Sequence, residues 1–187
     1  MFDLKNKDGK PLSRSEGEAV LKGLASITIT IYAALLAIST LLGSGNSGRV
    51  LNNTMTINDT WSFYQAKSIK QSIAEGQLDD AVAAKDTKKI AELKAKIDRY
   101  ESEPATGEGK RELLARAKAL DAERDEAKRR SPYYSFAGTT LQIAIVLSTT
   151  AILAVSIPLW YASIVVGLLG SLLMSNGLWL WFSLPGL

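Results

Sequence analysis

The sequence contains no cysteine and no histidine, and these two absences limit its chemistry. Without cysteine, the chain has no thiol nucleophile, no thiolate metal ligand and no disulfide bond. Without histidine, it also lacks the side chain that most often acts as a general base near neutral pH. We therefore expect a protein that is not an enzyme and that has no catalytic residues, no metal site and no cofactor.

Charged residues are missing from the last 57 positions of the chain, residues 131–187. An α-helix needs about 20 apolar residues to cross a hydrocarbon core of about 30 Å, so this tail is long enough for two transmembrane helices. Pro158 lacks a backbone donor, and Trp160 and Tyr161 are aromatic residues of the kind that favour the headgroup region. We predict transmembrane helices over residues 136–158 and 161–184, with a turn between them.

A further stretch without charge, residues 23–42, lies near the amino terminus. It is too long for the apolar region of a signal peptide and no convincing cleavage site follows it. We predict an uncleaved transmembrane helix over residues 19–42, preceded by a polar tail over residues 1–18. Ser13 and Glu16 have the spacing of a capping box at the start of this helix.

Residues 43–135 are predicted to form an extramembrane helical region. The glycine- and serine-rich residues 43–48 predict a break, and residues 50–75 predict an interfacial helix with a half-apolar face. Residues 77–103 and 110–130 carry apolar side chains at spacings of three and four, and they are joined by a loop containing proline and glycine. The fold class is therefore an all-α membrane protein with three transmembrane helices and an extramembrane antiparallel helical hairpin. The competing layout is one long arm over residues 50–100.

The charges of residues 43–130 are mixed, with 17 basic and 15 acidic side chains. Such a balance offers no basic face that neutralises many phosphates, so we expect no nucleic-acid partner. Close to the predicted spans, the helical region has seven Lys or Arg residues and the amino-terminal side has five. By the positive-inside rule, this small excess favours a cytoplasmic helical region.

The predicted spans contain no ionisable side chain in their interiors, which argues against a pump. Ser148, Thr149 and Thr150 are candidates for lining a pore in an oligomer, or else for bonding within the chain. Small residues recur every four positions on the last helix, where they allow helix backbones to approach closely. We expect these small residues to pack the last two helices against each other. Self-association through whichever small-residue face stays open, including Ala33 and Ala37, is a further hypothesis. Among these small residues of the last helix, we predict Ser163, Gly167 and Ser171 as interaction residues.

Residues 58–71, 133–136 and 141–147 together resemble a bacterial inner-membrane protein family of unknown function. The resemblance implies one amino-terminal span, a charged helical middle with a W-x-F-Y-Q-A-K-x-x-K segment, and two closing spans. It brings no activity and no ligand. It implies a defining surface composed of Trp61, Tyr64, Gln65, Lys67 and Lys70.

The sequence thus predicts a multi-pass protein of the bacterial inner membrane. We expect a non-enzymatic scaffold or accessory subunit that oligomerises or docks a partner through its helical region. The alternative is an oligomeric channel with a hydroxyl-lined pore. The expected partners are the lipid bilayer and either further copies of the chain or a larger membrane complex.

Overall fold

The computed structural model describes residues 13–183, and the four elements in this range are all α-helices. They are α1 (Arg14–Ala83), α2 (Thr87–Glu101), α3 (Lys110–Ala154) and α4 (Ile157–Trp179). The all-helical fold class is confirmed. By length and composition, α1, α3 and α4 each contain a stretch that is able to cross a membrane. Most of the predicted polar tail, residues 1–12, and the end of the last predicted span, residue 184, lie outside the described residues.

The start of α1 has the predicted capping box. The Ser13 amide donates to Glu16 Oε2 at 2.8 Å, and the Glu16 amide donates to Ser13 Oγ at 3.4 Å. These two bonds satisfy donors that the first turn of a helix leaves without partners. The residue pattern that predicted where this helix begins is therefore confirmed.

The predicted break at residues 43–48 is wrong, because α1 continues through it and through Gly76. Each glycine costs a helix about 1 kcal/mol relative to alanine, and at Gly43 a contact with α3 offsets this cost. A Cβ on Gly43 would lie 3.3 Å from Tyr134 Cβ, so glycine permits a close approach of α3. The Ser44 hydroxyl donates to the Thr40 carbonyl at 2.7 Å and stays within the helix. Residues 50–75 are thus a part of α1 and do not form a separate interfacial helix.

Two turns lie away from their predicted positions, which were between residues 158 and 161 and at residue 76. The turn before the last helix lies at Val155 and Ser156, and Pro158 falls in the first turn of α4, where its missing N–H costs little. The turn that ends α1 contains Lys85, with a φ of 55°, and Val155 has a φ of 47°. Because neither position is a glycine or an asparagine, composition gave no sign of these left-handed residues.

The chain forms two compact units, and the first consists of the described residues 13–47 and 128–183. Here parts of α1, α3 and α4 pack around Tyr32, Leu141 and Ala144. The Ser39 hydroxyl donates to the Tyr134 carbonyl at 3.0 Å and joins α1 to α3. The Tyr32 hydroxyl donates to the Ser163 carbonyl at 3.3 Å and joins α1 to α4.

The second unit, Gly48–Ala127, contains the rest of α1, all of α2 and the start of α3. Leu93 of α2 packs with Ala74 and Ala81, which lie near the end of α1. Asn53, near the unit's first residue, contacts Glu123 of α3 with 3.4 Å between Nδ2 and Oε2. Later residues of α2 and α3 therefore pack on earlier residues of α1, so both helices run antiparallel to α1.

The predicted hairpin, in which residues 77–103 pack against residues 110–130, is wrong. Each of the two segments packs on α1, and residues 77–83 belong to α1 itself. The reason is that α1 has one long face of inward side chains at spacings of three and four. α2 packs on one part of this face, and α3 packs on another part. The inward residues of α1 are Asn53, Ile57, Thr60, Tyr64, Lys67, Gln71, Ala74, Leu78 and Ala81.

Candidate interaction surface

The segment 61–70, predicted as one surface, is divided between two faces of α1. Lys67 is only 9% exposed and Tyr64 is half-buried, so these two side chains point into the second unit. Trp61, Gln65 and Lys70 are exposed. The resemblance therefore covers both an internal contact and an outer surface.

The buried Lys67 is held by two carboxylates and an aromatic ring. Its Nζ atom lies 3.7 Å from Glu103 Oε2, 3.6 Å from Glu108 Oε2 and 5.7 Å from the centre of the Tyr100 ring. Within the described part of the chain, Glu103 Oε2 is buried and accepts no hydrogen bond. The positive charge of Lys67 therefore offsets the desolvation cost of burying the Glu103 carboxylate, and the carboxylate does the same for Lys67.

Lys110 makes a second set of contacts beside this one. Its Nζ atom lies 3.1 Å from Gln71 Oε1, 3.2 Å from Glu101 Oε2 and 5.7 Å from the centre of the Tyr64 ring. The hydrogen bond from Lys110 lowers the pKa of the Glu101 carboxyl. These contacts attach both ends of the connection between α2 and α3 to α1, so the cluster has a structural role.

Glu112 closes the same connection from the side of α3. Its Oε1 atom accepts a hydrogen bond from the Ser102 hydroxyl at 2.7 Å, and its Oε2 atom accepts one from the Glu103 amide at 3.0 Å. The bond from Ser102, followed by that from the amide, lowers the pKa of the Glu112 carboxyl. Glu103, Lys110 and Glu112 were not predicted as site residues. The available signal was a lysine at an inward position of α1, which requires acidic partners.

The opposite face of α1 in the second unit carries an exposed half-apolar stripe. Leu51, Met55, Ile69 and Ile73 are 62%, 58%, 63% and 56% exposed. Three exposed uncharged polar residues lie between them at spacings of three and four. We call this set the outer stripe; its members are Leu51, Met55, Asn58, Ser62, Gln65, Ile69 and Ile73. None of them is charged, although both signs of charge are abundant in this unit.

The small residues of α4 are used inside the first unit. Ser163 is fully buried, and its hydroxyl accepts a hydrogen bond from the Ser148 hydroxyl at 2.8 Å. A Cβ on Gly167 would overlap the ring of Tyr32. The half-buried Ser171 donates its hydroxyl to the Gly167 carbonyl at 2.8 Å. Ser163 and Gly167 are therefore covered by the chain's own helices, in line with the packing role and not with a surface for another chain.

The three hydroxyls considered for a pore all have partners within the chain. Ser148 is buried against Ser163. Thr149 and Thr150 each donate to the carbonyl four residues earlier, at 2.9 Å. Hydroxyls that bond to their own helix carry no requirement for water.

Aromatic side chains lie at both ends of α4. Trp160 donates its indole N–H to Thr28 Oγ1 at 3.2 Å, and the rings of Trp179 and Trp181 stack with centres 5.4 Å apart. Trp160 and Trp179 are 19 positions apart, which corresponds to about 28 Å along a helix. This separation matches the thickness of a hydrocarbon core between two aromatic belts.

Across residues 13–183, no group of three Asp or Glu side chains is placed to hold a metal ion. Comparison with curated proteins gives no match, and comparison with solved structures gives none either. One protein family, described as a domain of unknown function (DUF4337), matches residues 21–180. This match covers most of the chain and confirms the resemblance to a family of unknown function. The chain therefore belongs to the DUF4337 family.

Proposed function

We propose that the protein is a non-enzymatic scaffold or accessory subunit of the bacterial inner membrane. Three helices anchor it, and the unit Gly48–Ala127 provides a docking or oligomerisation surface in the cytoplasm. The observation that carries this proposal is the contrast between the two units. The first is rich in exposed apolar side chains, whereas the second is rich in charge and keeps its most buried charges paired with each other.

The surface of the first unit supports a position in lipid. Large apolar side chains are exposed on each of its three helices, among them Leu41, Val146 and Leu168. Soluble monomers rarely expose apolar patches of more than a few hundred Å², because such patches cause aggregation in water. In a bilayer, the same side chains face lipid without penalty.

The charges beside the first unit's apolar stretches support a cytoplasmic orientation of the second unit. Lys128 and Arg129 are exposed and lie just before the uncharged sequence that begins at residue 131. The Arg130 guanidinium donates to the Leu178 carbonyl at 2.6 Å, at the carboxyl end of α4, where a positive charge is favourable. Basic residues close to the spans tend to stay in the cytoplasm.

The absence of native cysteine gives a direct test of membrane insertion and of sidedness. Lys96→Cys would place one thiol on an exposed position of α2. We expect the variant to stay in the membrane after alkaline carbonate extraction. An impermeant maleimide should label it only after the inner membrane is permeabilised. Release by carbonate would contradict the anchor, and labelling in intact spheroplasts would contradict the cytoplasmic orientation.

Docking through the helical region is tested by changing the exposed part of the segment 61–70. The variant Trp61→Ala/Gln65→Ala should lose its oligomer, or a partner that co-purifies in mild detergent. The matched control Lys88→Ala/Lys96→Ala changes two exposed residues of α2 and should keep it. Equal recovery of the complex with both variants would contradict docking through this face.

A hydroxyl-lined groove favours the channel as a second candidate function. In the first unit, α1 and α3 border an open groove with a volume of about 310 Å³. Its lining includes Thr40, Ser44, Ser135 and Thr139. Thr40, Ser44 and Thr139 donate to carbonyls of their own helices, but their oxygens remain able to accept hydrogen bonds from water. In an oligomer, such a lining is suited to a water-filled path. Ion flux through liposomes that contain the purified protein, reduced by Thr139→Val, would favour the channel, and absence of flux would favour the scaffold.

A further inference from the structure

We propose that two copies of the chain associate in parallel through the outer stripe of α1, each contacting the same residues of the other. This proposal rests on the proposed function in one respect, because insertion in the same membrane makes the two α1 helices run in the same direction. It names a second copy of this chain as the occupant of the exposed face.

The spacing of the outer stripe is that of a helix seam. Leu51, Met55, Asn58, Ser62, Gln65 and Ile69 follow one another at steps of four, three, four, three and four. This alternation keeps side chains along one line of a helix that packs on another helix. From Leu51 to Ile73 the line is about 33 Å long at 1.5 Å per residue.

The fold of the second unit does not account for this stripe. The helices α2 and α3 pack on the inward residues of α1, where Ile57, Thr60 and Lys67 are buried. The outer stripe lies on the other side of α1, and its apolar members are more than half exposed. Apolar side chains at helical spacing on an exposed face indicate a contact with a further helix.

The lack of charge along the stripe favours a second copy as the partner. A helix with charges along its seam would leave them unpaired against these seven residues, at a cost in desolvation. Another copy presents the same uncharged residues by symmetry, as in the two-fold contacts of most dimers. Apolar pairs would form both ends of the seam, and Asn58 would meet Asn58 near its middle. A polar residue at such a position specifies register and the two-stranded state.

The residues that border the stripe argue against a lipid surface as the occupant. Helices that lie on a membrane carry Lys or Arg along the edges of their apolar face. Here the exposed charged residues between Leu51 and Ile73 are Asp59 and Lys70, one of each sign, so no basic edge is present. In the first unit, α1 also exposes the small residues Ala33 and Ala37, which allow close approach of a second transmembrane helix.

Single-cysteine crosslinking in native membranes tests the proposal without interference from other thiols. Leu51→Cys and Ile69→Cys lie on the stripe, and their sequence neighbours Asn52→Cys and Lys70→Cys are exposed controls about 100° away. Disulfides require Cα atoms within about 7 Å. On mild oxidation we expect at least about fivefold more dimer from each stripe variant than from its neighbour, because only the stripe brings equivalent Cα atoms this close.

Three outcomes would overturn the proposal. Equal dimer yields at positions 51 and 52 would mean that this face is not the contact. Dimer formed only when Leu51→Cys and Ile73→Cys are expressed together would mean an antiparallel contact. Adducts of another mass would mean that a different protein occupies the stripe.

Carbonate extraction of the same membranes separates this inference from the proposed function. Retention without crosslinking contradicts the dimer alone, whereas release contradicts the anchor. As a second variant, Ile69→Lys faces solvent in the monomer and keeps the fold, which circular dichroism would verify. It should weaken the dimer about tenfold or more, because two like charges then face each other across the seam. An unchanged dimer would contradict the proposal.

Discussion

Replacing Lys67 tests how the second unit is held together. The Lys67→Met variant keeps most of the side-chain volume and removes the charge, so it isolates the electrostatic contribution. At 3.7 Å from Glu103, a unit charge interacts with about 4 kcal/mol at an effective dielectric constant near 20. The Glu108 carboxylate lies 3.6 Å away but is half-exposed, so solvent screens its share.

The loss should be smaller than this pair energy, because desolvation already offsets part of it. Breaking a fully buried pair costs about 3–5 kcal/mol, mainly through the charge that stays behind. Glu103 belongs to a short connection between helices and keeps a hydrogen bond from Arg99 at 2.8 Å. We therefore expect Lys67→Met to destabilise the second unit by about 2–3 kcal/mol. The double variant Lys67→Met/Glu103→Gln should recover most of this loss, because no buried charge is left unpaired.

Amide hydrogen exchange of the protein in lipid nanodiscs measures the effect locally. A loss of about 2–3 kcal/mol corresponds to exchange roughly 30- to 150-fold faster in residues 64–81 of α1. Lys70→Met, three residues away on the exposed side of the same helix, is the matched control and should leave exchange unchanged. Equal exchange in Lys67→Met and Lys70→Met would refute the role of Lys67. A double variant less protected than the single one would refute the pairing with Glu103.

Three further predictions concern packing, pH and a turn. Gly167→Ala should lower the thermal unfolding temperature in detergent, because its Cβ overlaps the Tyr32 ring; the double variant Gly167→Ala/Tyr32→Leu should recover part of the loss. The pKa of Glu112 is lowered from 4.5, its value in the unfolded chain, so the ionised carboxylate stabilises the fold above that pH. This stabilisation is lost as the pH falls through the folded-state pKa. Glu112→Gln should therefore make the free energy of unfolding less dependent on pH in the acid range. Lys85→Gly should stabilise the second unit by about 0.5–1 kcal/mol in urea unfolding, because φ at this position is 55°.

The apolar stretches were predicted well because the signal is local. Residues 23–42 and 131–187 lack charge, and a run of that kind requires no knowledge of tertiary contacts. The same holds for Ser13 and Glu16, whose spacing alone defines a capping box. Helical type and approximate position of these segments therefore follow from the sequence.

The break at residues 43–48 could not have been judged from the sequence. Composition predicts a flexible linker, and the packing of Gly43 on Tyr134 involves residues that are 91 positions apart. Tertiary packing overrides propensity in such cases. The pairing of α2 and α3 with α1 was missed for a related reason, since apolar spacing and a connecting loop do not identify which helices meet.

The division of the segment 61–70 also needed the structure. Two neighbouring stripes run along this part of α1, and both are half-apolar, so periodicity alone does not indicate which one faces inward. Lys67 proved to be internal, although lysine is among the residues least often buried. The acids that make this possible are Glu103, which was predicted at the end of the helical segment 77–103, and Glu108, which was predicted in the loop that follows it.

The placement of Lys67 and Ile69 supports a second contact for α1. A helix that only had to pair with α2 and α3 would gain stability by burying isoleucine and exposing lysine, because a buried lysine must recover its desolvation cost from acidic partners. The chain has the reverse arrangement, with Ile69 and Ile73 outside. A polar residue inside a helix pair specifies register, whereas apolar residues outside contribute nothing until another surface covers them. Both observations are accounted for if α1 pairs internally through Lys67 and externally through the outer stripe.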